Sequence, residues 1–418
     1  MPHTITGGLA GHGRMFAGYL ERPLWPENFS ANEGLDPSSQ RSMDDWMTFY
    51  EAGMRAIEYL KYAGHNALVI SVMSNGSTIY PSNLIEPTPR YDTGTFFSTG
   101  QDPVRKDVLE MLFRLCDREG IRLVPAMQFT SPLPDLENQI RDGKNLGMKL
   151  VDAQGLPWTP RNQNGDTQLT YYNPLHPAVQ QSALKVMREL IDRYHHHDSF
   201  AGMAIGTSGH GYTLLPGPDW GFDDHTMKQF LNESRIKLAH PDNPSTQIQT
   251  AHRDAWLAWR ADKLRHFHGE MADAIRNTKP AGKLYLATTT MHSSSDVKRL
   301  LRPKLPARLT HDELLLGIGI EPERYANPEN GIVLVRARSM STEPSNDNVA
   351  ATQIDRSVEL DREFAKAGKT GILLQSQPRQ IRIPSFDAKS PFGSKSTHTL
   401  IVPHVVPAGN MSRRLFTS

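Results

Sequence analysis

Short apolar runs alternate with amphipathic helical stretches along nearly the whole chain, and that rhythm admits few folds. The runs fall at residues 15–20, 67–73, 122–128, 200–206, 283–289, 314–320, 332–336 and 371–374. Runs of this length, rich in Val, Ile, Leu and Ala, read as strands buried on both faces of a parallel sheet. Parallel neighbours need long crossovers, and the intervening helices supply them. Eight strand-helix units are what closes a (β/α)8 barrel, so the expected fold is α/β, a TIM barrel with long insertions after its strands. No internal repeat or flexible linker divides the chain. The expectation is one domain over 1–418, with the barrel core at about 12–380 and a C-terminal extension at 381–418.

The helices have readable ends. Ser42-Met-Asp-Asp45 offers a cap with an acid three residues on, ahead of a helix from Trp46 to about Tyr62. Asp102-Pro103 and His176-Pro177 each put proline at a first helical position. A longer helix is expected over 250–275, with Trp256, Trp259, Leu264 and Phe267 inward. A small hairpin is expected over 148–172, turning at Asp152-Ala-Gln-Gly155. The long segments at 74–101, 129–175 and 207–225 all leave the ends of strands, so they gather on one face and could wall a cleft.

Composition excludes several function classes. Lys plus Arg total 46 against 45 acidic residues, and no basic tract stands out, so nothing favours nucleic acid or an anionic membrane. The single cysteine, Cys116, cannot build a disulfide framework or a cysteine zinc cage and reads as core filler. No run reaches the ~18–20 apolar residues of a membrane span, and the start, Met1-Pro-His-Thr-Ile-Thr, lacks the pattern of a signal peptide. The last residues, Met411-Ser-Arg-Arg-Leu-Phe-Thr-Ser418, read as the opening of a helix cut short. A piece of a longer precursor is therefore expected, soluble, with the compartment left open and a periplasmic or extracellular one among the options.

Metal and phosphate motifs are weak. His195-His-His-Asp198 is read as a helix end, where imidazolium charge suits the dipole and adjacent side chains diverge. Gly7-Gly-Leu-Ala-Gly-His-Gly13 precedes a strand, the wrong order for a phosphate cradle. His210, His292 and His398 show no ligand spacing, so no metal and no cofactor are expected. Carboxylates on the expected open face are the better lead: Glu21, Asp92, Asp219, Asp223, Asp224, Glu321, Glu343 and Asp387. Two flanking carboxyl groups are what glycosidic cleavage requires. Plainer roles compete: Glu321-Pro322 starts a helix, and Asp223 or Asp224 caps one. Tyr80, Tyr91, Phe96, Phe97, Tyr212 and Trp220 enrich the same loops, as the walls of a carbohydrate cleft or as ordinary loop cores.

Longer stretches carry a resemblance. Tyr172-Asn-Pro-Leu-His-Pro-Ala-Val179 followed by Phe200-Ala-Gly-Met-Ala-Ile205 resembles the family-10-like glycosyl hydrolase barrels, and in particular the planctomycete-type members. Gly18-Tyr-Leu-Glu-Arg-Pro-Leu-Trp-Pro-Glu-Asn28, Ser77-Thr-Ile-Tyr-Pro-Ser82, Glu86-Pro-Thr-Pro-Arg-Tyr-Asp-Thr-Gly94, Gly100-Gln-Asp-Pro-Val-Arg-Lys-Asp107, Leu215-Pro-Gly-Pro-Asp-Trp-Gly221, Ala255-Trp-Leu-Ala-Trp-Arg-Ala261 and Pro384-Ser-Phe-Asp-Ala-Lys-Ser-Pro-Phe392 extend it along the chain. Two departures stand out. His210 occupies a turn where relatives often carry Asp, and Ser376-Gln377 stands where a His-Glu pair is common.

The resemblance implies a glycoside hydrolase acting on an oligo- or polysaccharide. Asp219 or Asp224 would be the acid and Glu343 or Glu21 its partner. Tyr80, Tyr212 and Trp220 would stack on sugar rings, and Arg90, Asp92, His210, His292, Arg336, Gln377 and Asp387 would hold hydroxyls or charged substituents. The alternative is a non-catalytic carbohydrate-binding barrel that kept the cleft and lost its acids. A third reading is an assembly module of a larger envelope protein.

Overall fold

The computed structural model describes residues 15–20, 46–74, 76–85, 107–143, 147–158, 172–290, 311–325, 327–339, 371–376, 380–382 and 399–401. Strands β1 (Ala17–Leu20), β2 (Ala67–Ser74), β4 (Arg122–Met127), β5 (Gly202–Ser208), β6 (Lys283–Thr290), β7 (Ile332–Ser339) and β8 (Gly371–Ser376) lie side by side, all parallel. The short β3 (Ser77–Thr78) folds back antiparallel on β2. The sheet closes on itself through β1, where Tyr19 is in register with Val69 on one side and with Gln375 on the other. The fold is thus α/β, a barrel of the (β/α)8 TIM type with long insertions, drawn among the described residues with seven parallel staves. A separate antiparallel pair joins β9 (Gln380–Arg382) to β10 (Thr399–Ile401).

The segment 314–320 departs from expectation. Residues 314–317 end a helix, His311–Gly317, residues 318–320 turn away after it, and β6 pairs directly with β7 through Leu284 and Ile332, leaving no place between them. The physical signals were local. Asp312 and Glu313 favour a helix N-terminus, the run is leucine-rich without β-branching before Ile318, and Gly319 at φ +88° ends it.

Helices α1 (Trp46–Tyr62), α2 (Val108–Glu119), α3 (Pro134–Arg141), α4 (Pro177–Tyr194), α5 (Asp224–Ser234), α6 (Pro244–Thr250), α7 (Arg253–Arg276) and α8 (His311–Gly317) accompany the staves. The helix expected from Asp102 starts at Val108, because Asp107 accepts the backbone N–H of Glu110 at 2.9 Å as its cap. Residues 102–106 lie outside the described ones. Alternate strand residues divide the core in two. Leu68, Leu123, Met203 and Leu284 face the helices, whereas Ala67, Val69, Val124, Ala126, Ala204 and Ala287 fill the ring with Tyr19 and Tyr285. Fewer staves enclose a narrower lumen, and small side chains fit it. Among the described residues no helix is long and apolar enough to cross a membrane.

Candidate functional site

The carboxyl ends of β4 and β5 meet in one braced wall. Beyond β5 the chain turns at Ser208, whose hydroxyl accepts the His210 N–H at 3.1 Å. Tyr212 then crosses to the β4 loop: its N–H donates to the Phe129 carbonyl at 2.9 Å and its hydroxyl to the Ser131 carbonyl at 2.8 Å. The expected hairpin is present, with bridges Lys149 to Tyr172 and Val151 to Pro157. It is turned by Asp152, which accepts from Gln154 and Leu156 N–H groups at 2.9 and 2.8 Å. The Val151 carbonyl in turn takes the N–H groups of Gly221 and Phe222 at 2.9 and 3.1 Å, docking the hairpin on the β5 loop. Trp158 sets its ring edge-on to Trp220 at 6.3 Å and near His210 at 6.0 Å.

Helix α7 fastens the same loop from beneath. Arg260 is fully buried and donates to the carbonyls of Trp220 (2.6 Å), Gly217 (3.4 Å) and Gly317 (2.9 Å). Burial lowers its guanidinium to about 9, with the Asp219 charge opposing. His268, also buried, lies 3.1 Å from the Thr213 carbonyl through Nε2 and 3.0 Å from the Tyr325 hydroxyl through Nδ1. A carbonyl only accepts, so Nε2 carries the proton and Nδ1 accepts from Tyr325. Burial lowers this imidazole from 6.5 to about 4.

The sequence candidates divide. Asp219 pairs with Arg253 at 3.6 Å, with both side chains near half exposed (48% and 42%). Asp224 is exposed in the first turn of α5. Its neighbour Asp223 is the cap, accepting from Thr226 N–H at 2.9 Å and from Asn173 Nδ2 at 2.6 Å. Burial pushes the Asp223 carboxyl above its ordinary value. Glu321 pairs with Arg324. Trp220 and His210 are half-buried on the wall. Two expected sugar platforms are corrected: Tyr80 is 1% exposed with its ring edge-on to Tyr194 at 6.0 Å, and Tyr212 is 3% exposed between Phe129 and Tyr172. Their rings are spent on packing, Tyr80 against the end of α4 and Tyr212 against the loops beside it. Arg336 lies in β7, in register with Ile372. Glu21, Arg90, Tyr91, Asp92, Phe96, Phe97, His292, Glu343, Gln377, Asp387 and His398 lie outside the described residues.

Sequence reasoning missed Trp158, Arg260 and His268. A signal existed for the last two: they share the inward stripe of α7 with Trp256, Leu264 and Phe267, where a charged or polar residue is out of place. A cleft of about 580 Å³ lies between α3 and the starts of α4 and α5, lined by Asp135, Gln139, His176, Ser182, Lys185 and His225. It coincides with none of the candidate carboxylates.

A family profile described as "Glycosyl hydrolase-like 10" matches residues 41–297. No curated protein matches the chain. Among solved structures, a β-galactosidase from Rahnella sp. R3 is similar at 13% identity and TM-score 0.45, over 90% of this chain and 47% of that one. A β-galactosidase from Bacillus circulans sp. alkalophilus is similar at 11% identity and TM-score 0.40, over 88% of this chain and 44% of that one. Amy13B from Eubacterium rectale is similar at 10% identity and TM-score 0.40, over 85% of this chain and 56% of that one. The chain thus spans about half the length of these structures.

Proposed function

The chain belongs to the glycosyl hydrolase-like 10 family, and on that premise we propose that its rim takes an oligo- or polysaccharide and hydrolyses O-glycosyl bonds. The observation that carries this reading is the braced wall at the carboxyl ends of β4 and β5, since barrels of this type build their sites on that face. Trp220, backed by Trp158, offers an apolar ring to a sugar face, and His210 beside it offers a hydrogen bond to a hydroxyl. The acid comes from Asp219 or Asp224 and its partner from Glu343 or Glu21, one protonating the leaving oxygen and the other serving as base or nucleophile. Arg90, Asp92, His292, Arg336, Gln377 and Asp387 hold the remaining substituents.

A second reading is binding without cleavage. It is favoured by the end of β5, where Ser208 and His210 stand in place of a carboxylate, and by Arg253, which partly neutralises Asp219. A panel of glycans, scored for binding and for new reducing ends, separates the two. Turnover that falls about 100-fold or more in an Asp219→Asn, Glu343→Gln variant, with binding kept, is the expected result. Binding with no turnover in the wild type establishes the second reading instead. Turnover that survives in the variant moves the chemistry to other residues, and no binding to any glycan removes both readings.

A further inference from the structure

Residues 195–198 sit at the C-terminal end of α4, as the sequence reading has it, but their side chains do not all diverge. Helix α4 stops at Tyr194, and the histidines form the turn that feeds β5, at the end of the barrel where the staves begin. In a turn, adjacent side chains can face one way, and the rings of His196 and His197 lie 4.2 Å apart between centroids. Helix α2 faces them. Its Glu110 and Asp117 are two turns apart on one side of the helix, and His197, 5% exposed, bridges them. His197 Nδ1 is 2.6 Å from Asp117 Oδ2, and Nε2 is 2.9 Å from Glu110 Oε2. Phe113 stacks on the imidazole at 4.9 Å, the Ser199 N–H holds Asp117 Oδ1 at 2.7 Å, and Arg114 holds Glu110 Oε1 at 2.7 Å. One donor atom each from Glu110, His196 and His197 lies within 4.8 Å of the others.

We propose that Glu110, His196 and His197 form a binding site for a divalent transition-metal ion of the zinc class, remote from the rim. Two imidazoles and a carboxylate are a donor set that such an ion accepts, with a fourth position left for water. Asp117 supplies the supporting contact: a carboxylate on one ring nitrogen fixes the proton there and turns the other nitrogen toward the ion. That nitrogen, Nε2, now lies 2.9 Å from Glu110 Oε2, a contact that needs a proton between them, and the ion takes that proton's place and releases it to solvent. His196 is exposed and gives the ion its way in. Arg114 adds an opposing charge, but its side chain is 74% exposed and screened by solvent. The bound ion ties α2 to the turn before β5, so it acts on stability and not on the rim.

The test is a calorimetric titration of the untagged, metal-stripped chain with Zn2+, and of Co2+ followed by its visible absorption. The expected result is one tightly held ion per chain and a thermal midpoint that rises with Zn2+. His196→Ala, at an exposed position that leaves folding alone, is expected to lose at least about tenfold in affinity. Asp117→Asn touches no ion and is expected to lose about 10- to 100-fold through the supporting contact. The asparagine oxygen still accepts from Ser199, and circular dichroism checks that the variant folds; if it does not, His196→Ala decides alone. Failure of the wild type to take up Zn2+, or equal affinity in the wild type and His196→Ala, overturns the proposal. Glycan binding is expected to be the same in His196→Ala and wild type, which keeps this outcome apart from that of the rim.

Discussion

His268 sits under the rim loop with both ring nitrogens engaged, and its proton count is tied to folding. Its folded value, about 4, lies below the ordinary 6.5, so between those limits the unfolded chain binds more protons than the folded one. The stability due to the neutral ring is complete above pH 6.5 and drains away as pH falls toward 4, amounting to roughly 3 kcal/mol. Urea unfolding of wild type and His268→Gln at pH 7 and pH 4.5 reads this directly. The wild type is expected to lose about 2–3 kcal/mol more than the variant over that interval, because glutamine can still donate to Thr213 and does not titrate. Equal losses would mean that the ring is charged in the fold. His268 and Arg260 show what single residues disclose in a sequence. Their place on an apolar stripe was visible, but the carbonyls they serve lie 40 to 57 positions away, in the loop after β5 and at Gly317.

At the scale of elements, β5 and β6 approach closely at a described glycine. Gly202 has φ +121°, and a Cβ there would lie 2.0 Å from the Lys283 carbonyl oxygen. Gly202→Ala is therefore expected to destabilise by more than about 1 kcal/mol, since alanine resists both the torsion and the contact. Gly269, on α7, has nothing within 4 Å of the same position, and Gly269→Ala is expected to stabilise by about 0.5–1 kcal/mol. Thermal melts of the two variants check the pair; a loss of equal size at both sites would refute the close-approach account. Elements were the most legible level of the sequence. His176-Pro177 starts α4 as read, with the His176 ring accepting the Ala178 N–H. The run at 314–320 was misread because a short buried apolar stretch looks alike as strand or helix, and only its acidic start and its glycines told them apart.

For the whole molecule, closure depends on the two ends of the barrel region. The family match covers 41–297, which supplies β2 to β6, while β1, β7 and β8 complete the ring from outside that span. A chain cut to 41–297 would leave β2 and β6 as bare edges, and edges of this kind recruit other strands. Such a fragment is expected to self-associate and to melt without cooperativity, whereas the full chain melts in one transition. Size-exclusion chromatography with calorimetry checks this, and a monomeric fragment with a sharp melt would contradict it. The barrel was readable from sequence because burial period and helix signals are local. The candidate site was readable only in part, because which loop side chains converge depends on contacts such as Tyr212 with Ser131 or Asp219 with Arg253 that no spacing encodes. The attachment of the β5 loop to α7 carries one more consequence. A surface so pinned is preorganised, and a guest loses its own freedom while demanding little new order from the host. On the proposed carbohydrate reading, selectivity there follows from steric match and the water displaced, and replacing a residue of α7 that the sugar never touches is expected to blur it.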